Sequence, residues 1–506
     1  MPTSAFVILP VVIPLAGAMI GLVLYRRRPF QDYWTFGTIL TSLAASLWLL
    51  LLVWREGEPL VFASGGWPVP IAITLVADLL SAFFVVMSQL VLAMGILYAL
   101  GCKDKCVTYP AFYPLFLTLG VGLTGALLTG DIFNLFVFAE LLMISGTVLT
   151  AISDDRYGPE AAYKYFYISL LAANFLLLAV GSLYVSYGTL NMAHLGELIA
   201  ANPQRPLLPA AVAFLLAAFM VKSATFPFHF WQPDFHTAAP TPVHAVLSSV
   251  VVKLGIYGFL RMTTLLFIDQ SDLIRTVLIV AGVIGVFYGG LGAAGTYDAK
   301  RMLAYSTMGQ LGFILVGIGW GTTLSITAAI IFAFNHSLAK SAMLMLAGSV
   351  ASHAPVKSAI FTVVQGVGKV VPFTGVLFFL GSLALAGIPP TNGFISKFML
   401  FNSGIEAAGY WPLFLIGIGS SITLVYTMRA YMRIWWQEQL PDAGKPKSKG
   451  DSLLAPALLI GLVLVFGLWA GPLLDLAETT SVALSQPEIY IEAVRGLDGW
   501  WELAGP

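Results

Sequence analysis

Glu140, Lys222, Lys253 and Lys397 each lie near the middle of a long apolar stretch. One charge at the centre of a bilayer costs roughly 2.5 to 3.5 kcal/mol on insertion scales, and four together on the order of 10 kcal/mol. Groups held at such a cost belong to a path for protons or ions, and they face a hydrated bundle interior rather than lipid. Glu140 stands nine residues beyond Asp131, the expected helix start; at about 1.5 Å per residue its carboxyl is roughly 13 Å into the core. A carboxyl group at that depth either pairs with a base or takes up a proton, and Lys222 is the natural base. Desolvation loosens the hold of any ammonium on its proton and a neighbouring carboxylate tightens it, so a pair of this kind can be switched by an approaching cation.

Two of these lysines stand beside prolines. Lys222 runs into Ser223-Ala224-Thr225-Phe226-Pro227, and Gly387-Ile388-Pro389-Pro390-Thr391-Asn392-Gly393 precedes Lys397. Each proline removes a backbone donor and breaks the helical ladder. Irregular backbone inside a membrane persists only where protein or water satisfies the freed groups. One such proline is the ordinary kink of a packed helix; two, each beside a buried lysine, mark the discontinuous helices of an inverted-repeat transporter.

The elements that must carry these residues are membrane spans. The chain has 506 residues, 58% of them hydrophobic and only 10% charged, with a mean hydropathy of +0.88, which leaves no room for a soluble catalytic domain. About fourteen apolar runs are long enough to cross a core of about 30 Å. They cover approximately 4–25, 34–53, 71–100, 109–129, 131–152, 161–187, 207–227, 241–262, 273–295, 302–319, 323–351, 371–405, 410–436 and 452–475. The first run lacks a basic leader and is followed by Arg26, Arg27 and Arg28, so it reads as a retained helix.

Alternating from an outer amino terminus, the inner loops carry Arg26 to Arg28, Lys103, Lys105, Arg156, Lys300, Arg301, Arg429, Arg433, Lys445, Lys447 and Lys449. The outer loops carry mainly Arg55, Arg205 and Arg275. This positive-inside bias predicts both termini outside. Residues 437–451, rich in Pro, Gly, Lys and Ser, read as a solvated cytoplasmic loop, and Trp500 and Trp501 in the tail suit the membrane interface. The expected organisation is an all-α polytopic protein: 1–108 with helices 1–3, 109–262 as a first five-helix repeat, 273–436 as its inverted copy, the loop 437–451, and 452–506 with the last helix and tail. Helices 7 and 12 are broken, and Lys222 and Lys397 are rough counterparts in the two halves. The two cysteines, Cys102 and Cys106, form a lone CxxxC with too few neighbouring ligands for a metal and read as ordinary thiols.

Several ordered motifs carry a family resemblance: Gly65-Gly66-Trp67-Pro68 with Thr74-Leu75-Val76-Ala77-Asp78, the Glu140 helix, Lys222 through Asp234, Ala239-Pro240-Thr241-Pro242-Val243, and Gly387 through Lys397. Together they resemble the antiporter-like subunits of respiratory complex I, and among these the D-type subunit of multisubunit Mrp sodium/proton antiporters. The resemblance implies a prokaryotic cell membrane, other membrane subunits as partners, and protons with a monovalent cation as substrates. It implies that Glu140 and Lys222 form the gating pair, that Lys253 is the central relay, and that Lys397 is the terminal base. His336 and Lys340, four residues apart on one helix face, would bridge Lys253 to Lys397. Where relatives often place a histidine on the eighth helix this chain has Ser248, which makes that point of the relay depend on water. His236 and His244 are expected near the helix entrance, sampling protons at the surface or simply solvated. Asp234 is expected to hold the loop after the seventh helix. Asp78 is an auxiliary acid or, equally, a cap or polar contact, and Tyr305, Ser306 and Gln310 offer hydroxyl or water sites.

Three classes of function compete. The first is a proton-translocating subunit of a cation/proton antiporter, without cofactors. The second is a membrane-arm subunit of a complex I-like or hydrogenase-like redox complex; the sequence holds no haem-type histidine pairing, iron–sulfur cysteine set or dinucleotide fingerprint, so the polypeptide is redox-silent in either case. The third, a lipid-processing enzyme, wants a nucleophilic or acidic cluster at the membrane surface, and the sequence offers none. Zero net charge and the lack of a basic tail argue against nucleic acid.

Overall fold

The computed structural model describes residues 3–441 and 444–496; Trp500 and Trp501 lie outside the described residues. In chain order the first elements are α1 (Leu9–Val23), α2 (Arg28–Glu56), the antiparallel strands β1 (Leu60–Ala63) and β2 (Thr74–Ala77), α3 (Leu79–Leu100), α4 (Phe112–Leu128), α5 (Ile132–Ala151) and α6 (Gly158–Tyr187). Then come α7 (Met192–Ala201), α8 (Leu208–Lys222), α9 (Trp231–Ala238), α10 (Thr241–Val246), α11 (Lys253–Arg261), α12 (Ser271–Gly295), α13 (Ala299–Trp320) and α14 (Thr323–His353). The remainder are α15 (Phe361–Val364), α16 (Pro372–Ala386), α17 (Asn392–Glu406), α18 (Tyr410–Tyr431), α19 (Leu454–Leu468), α20 (Gly471–Leu484) and α21 (Pro487–Arg495). A π turn joins α10 to α11, and others end the spans of α11 and α18.

Ten helices are long and apolar enough to cross a membrane alone, and twelve if each of two sharply bent pairs counts as one span. The expected spans outside those ten are short or broken, α16 and α19 each being one arm of a bent pair. Helix α4 has 17 residues, and α8, α16 and α19 have 15 each; fifteen residues rise only about 22 Å, short of a full core. After their breaks α8 is continued by α9, and α16 by α17. The third run is shorter than 71–100: its start is β2, and Asp78 is the N-cap of α3 rather than a residue inside a helix. Strong β-formers in Thr74-Leu75-Val76 read as part of an apolar run until their pairing with β1 is seen. Helix α7 and the tail helices α20 and α21 were not anticipated; their mixed composition resembles loop.

Small residues set the tightest packing. A Cβ on Gly289 would stand 2.3 Å from the Gly309 nitrogen, and one on Gly282 2.7 Å from the Gly312 carbonyl, so α12 and α13 touch backbone to backbone. Helix α14, by contrast, is buried from Ser325 to His353 and presents no lipid face.

The loops expected inside touch one another at one end of the bundle. Asp154 accepts from the Lys105 and Cys106 nitrogens, Ser452 N donates to Gly101 O and Lys447 N to His353 O. Those expected outside meet at the other end, where Asn191 joins Thr74 and Arg495 pairs with Glu197. One motif occurs at both ends. Asp131 caps α5 and bridges to Asn191; Asp298 caps α13 with the same backbone angles, φ −129° and ψ 131°, and bridges to Ile360.

Candidate functional site

Lys222 is the last residue of α8. The helix stops there because the Ser223 hydroxyl turns back to the Phe219 carbonyl at 2.7 Å, Ala224 takes a left-handed φ of 49°, and Pro227 cannot donate. The ammonium therefore lies at a helix carboxyl end, where the macrodipole favours positive charge. Its Nζ is 3.5 Å from Oε1 of Glu140 on α5, with the two side chains 10% and 19% exposed. Gly255 presses α11 onto this end: a Cβ there would stand 2.6 Å from Phe219 O and 2.7 Å from Ser223 Cβ. That contact fixes the helix whose first residue is Lys253. A small cavity lined by Tyr165, Ser169, Lys222, Trp231, Val251 and Leu254 adjoins the Lys222 end of the pair.

Lys253 Nζ is 2.6 Å from Nδ1 of His336, and both side chains are buried. One turn along α14, Lys340 points elsewhere: its Nζ donates to Ser306 Oγ at 2.7 Å and to Leu303 O at 3.2 Å. Ser306 shares a 2.7 Å hydrogen bond with the Tyr426 hydroxyl on α18. Gln310 on the same face of α13 reaches Thr423 at 3.4 Å, while Tyr305 is directed at the α12 glycines, its ring 2.6 Å from a Cβ placed on Gly292.

Lys397, on α17, donates to Ala386 O at 2.9 Å and to Ser420 Oγ at 2.8 Å, and its Nζ lies 5.0 Å from the Phe313 ring centroid. Ala386 ends α16, so the break frees a carbonyl that the ammonium takes. Gly387, at φ +81°, leaves the needed room, since a Cβ there would meet Lys397 Cδ at 2.4 Å. In sequence Lys222 precedes its break and Lys397 follows its own, yet in space each ammonium sits at the carboxyl end of the first half of a broken helix. Between His336 and Lys397 lies a small cavity lined also by Gln310, Asn335 and Ser396. Asn335 ties α14 to α17 through Ser396 Oγ at 2.8 Å and Asn392 O at 3.1 Å.

One expectation changes. His236 and His244 are not at an entrance surface: they are 1% and 0% exposed, with ring centroids 5.4 Å apart. Both lie beyond the break after Phe226, His236 on α9 and His244 on α10, among residues that are themselves almost all buried. No ring nitrogen of either has a protein partner among the described residues, nor do both amide atoms of Gln232, Trp231 Nε1 or Thr241 Oγ1. Buried polar groups in such a cluster are ordinarily satisfied by internal water. The Ser248 hydroxyl shares a 2.7 Å hydrogen bond with that of Thr307. Asp78 belongs to a buried lock: Arg261 grips it with two nitrogens at 2.6 and 2.7 Å, and the guanidinium is flanked by the rings of Tyr257 and Tyr490. Asp234 pairs with Arg301 at 2.9 Å and with Lys164 at 3.4 Å. Cys102 Sγ faces the Asp451 carboxylate at 3.8 Å, and among the described residues no three of His, Cys, Asp or Glu group as metal ligands do.

Sequence reasoning missed Arg261, Tyr426, Gln232 and Thr241. An arginine at the end of an apolar run reads as an interfacial charge, and tyrosine or glutamine in a span carries no sign of its partner. The i, i+4 spacing of Tyr257 and Arg261 was the one usable signal.

A bundle of this kind, with broken helices and a file of acids and bases through its middle, defines a polytopic membrane protein of the ion-translocating class. The chain belongs to the NADH:quinone oxidoreductase/Mrp antiporter transmembrane family, whose model matches residues 129–423. It is 29% identical to the D-type subunit of the Na(+)/H(+) antiporter of Alkalihalophilus pseudofirmus over 96% of this chain and 99% of that one. It is 33% identical to the N-type subunit of the NADH-quinone oxidoreductase of Desulforudis audaxviator, covering 92% and 96% respectively. A chain in the structure of the Mrp complex from Dietzia sp. superposes with a TM-score of 0.88 at 26% identity, covering 98% of this chain and all of that one.

Proposed function

We propose that the protein is the proton-translocating subunit of a multisubunit cation/proton antiporter, with sodium as the cation, in a prokaryotic cell membrane with both termini outside. The observation that carries this reading is the file of groups from Glu140 and Lys222 to Lys253 and His336, then to Lys340, Ser306 and Tyr426, with Lys397 at the far end. Each member has a polar partner, and small cavities adjoin both breaks, an arrangement in which a proton advances when the charge on one neighbour changes. Glu140 and Lys222 act as the gate, Lys253 with His336 as the relay, Lys340 as the branch to α18, and Lys397 as the terminal base. His236 and His244, with the unpartnered polar atoms around them, feed the relay from the inner face.

The recurrence of the capped bridge at opposite ends supports reading 109–262 and 273–436 as inverted five-helix repeats. The D-type antiporter relative and the Mrp neighbour support other membrane subunits as partners. The assembled complex in vesicles tests the reading: a sodium pulse should move protons without an electron donor, and Glu140→Gln should stop it. A second reading, a membrane-arm subunit driven by a redox partner, is favoured by the N-type oxidoreductase relative; under it proton movement would need an electron donor and ignore sodium.

A further inference from the structure

The buried histidines of α9 and α10 are spaced as two ligands of one ion. The ring centroids of His236 and His244 are 5.4 Å apart and the ring planes 24° from parallel. All four ring nitrogens lack a protein partner among the described residues. A cation held about 2.0 Å from one nitrogen of each ring, with a tetrahedral angle between them, sets the centroids about 5 Å apart. The observed separation matches that geometry.

Two imidazoles alone fall short of three His, Cys, Asp or Glu ligands, and the third donor is an amide. Gln232 stands four residues before His236 on α9, so the two share a helix face. It is buried, and neither of its amide atoms has a partner among the described residues. Thr241, three residues before His244, has an unpartnered hydroxyl as well. Neutral imidazole nitrogens suit late first-row divalent ions, whereas hard cations prefer carboxylate and carbonyl oxygens. A structural zinc site takes four Cys or His ligands; with two, the ion here is exchangeable.

A way in lies beside the pair. Thr237 and Ala238, next to His236 in the chain, line a surface cavity of about 270 Å³ together with Asp155, Glu160, Lys164, Asp234 and Arg301. Three carboxylates against two cations leave this mouth net negative, which concentrates divalent ions at it.

We propose that His236 and His244, with Gln232 as third donor, bind one zinc-class divalent cation as a reversible ligand. The binding does not depend on the transport reading, but its consequence does: where the pair feeds protons to the relay, a nitrogen on the metal can no longer accept one, and the bound ion stops transport.

The test uses the assembled complex without a polyhistidine tag, stripped with a chelator, exposed to Zn2+ alone, desalted, and counted for bound metal by mass spectrometry. The parent should retain one more zinc per complex than either the His236→Asn or the His244→Asn complex. His229→Asn, which alters a buried histidine outside the pair, should leave the count at the parent's value. Equal counts in the parent and the pair variants, a loss in only one of the two, or a loss in the His229 variant as well would overturn the site. In vesicles, Zn2+ should halt sodium-driven proton movement by the parent, and a chelator should restore it. One zinc bound with proton movement unaffected leaves the site standing and removes the pair from the proton path instead.

Discussion

Glu140→Gln is the sharpest perturbation of the proposed gate. At 3.5 Å and an effective dielectric near 20, two unit charges attract by about 5 kcal/mol. Partial exposure of both side chains screens some of this, so about 2 to 3 kcal/mol is lost when the carboxylate becomes a neutral amide of the same shape. At about 1.4 kcal/mol per decade that predicts a fall of roughly thirty- to a hundredfold in proton flux. The assay is dye dequenching in vesicles containing the assembled complex, normalised to the amount of this chain. The single variant should also lose thermal stability, because Lys222 keeps a charge without its partner; Glu140→Gln with Lys222→Met should regain stability but not flux. Flux within twofold of the parent in a correctly assembled Glu140→Gln complex would refute the gate, as would a double variant no more stable than either single.

Lys222→Ala should abolish coupled transport with assembly largely intact, and the chain expressed without partners should give little exchange in proteoliposomes. Arg261→Ala strands Asp78 in the interior and should cost about 3 to 5 kcal/mol of stability; a melting temperature unchanged by this variant would contradict the buried lock. His336→Ala removes the only side-chain partner shown for Lys253 among the described residues and should lower flux more than tenfold, against less than threefold for Ser248→Ala, whose partner is another hydroxyl; equal losses would contradict the ordering. The Cys106 thiol, in the loop before α4, is pushed up to about 12 by burial and by the Asp154 carboxylate. A raised thiol pKa keeps the thiolate scarce until the pH approaches that value, so alkylation at pH 7 should be about a thousandfold slower than for a free cysteine. The rate should climb about tenfold per pH unit from 7 to 10, and a plateau near pH 8.5 would refute the assignment.

Much of the bundle was legible in the sequence because lipid imposes so simple a constraint. Long apolar runs and two proline breaks suffice to place most of the spans. Glu140 pairs with Lys222 on depth alone, and the two stand together in space. What the sequence concealed depends on encounters between distant segments. Asp78 and Arg261 are 183 residues apart, and nothing local announces their meeting. Spacing along a helix gives the face that Lys340 shares with His336 but not the neighbour beyond it; its hydrogen bonds go to Ser306 and Leu303 on α13. The histidine pair is misplaced by sequence reasoning because a broken helix reads as an exit to a solvated surface, when α9 and α10 beyond it are packed among buried residues.

Helix α14 has no side left free. Enclosed along almost its whole length, it resists tilting or sliding, since either displacement would collide with every surrounding element at once. A transport cycle that runs through His336 and Lys340 must then be driven by reorienting side chains and solvent around a fixed axle, with backbone movement confined to the interrupted helices that flank it.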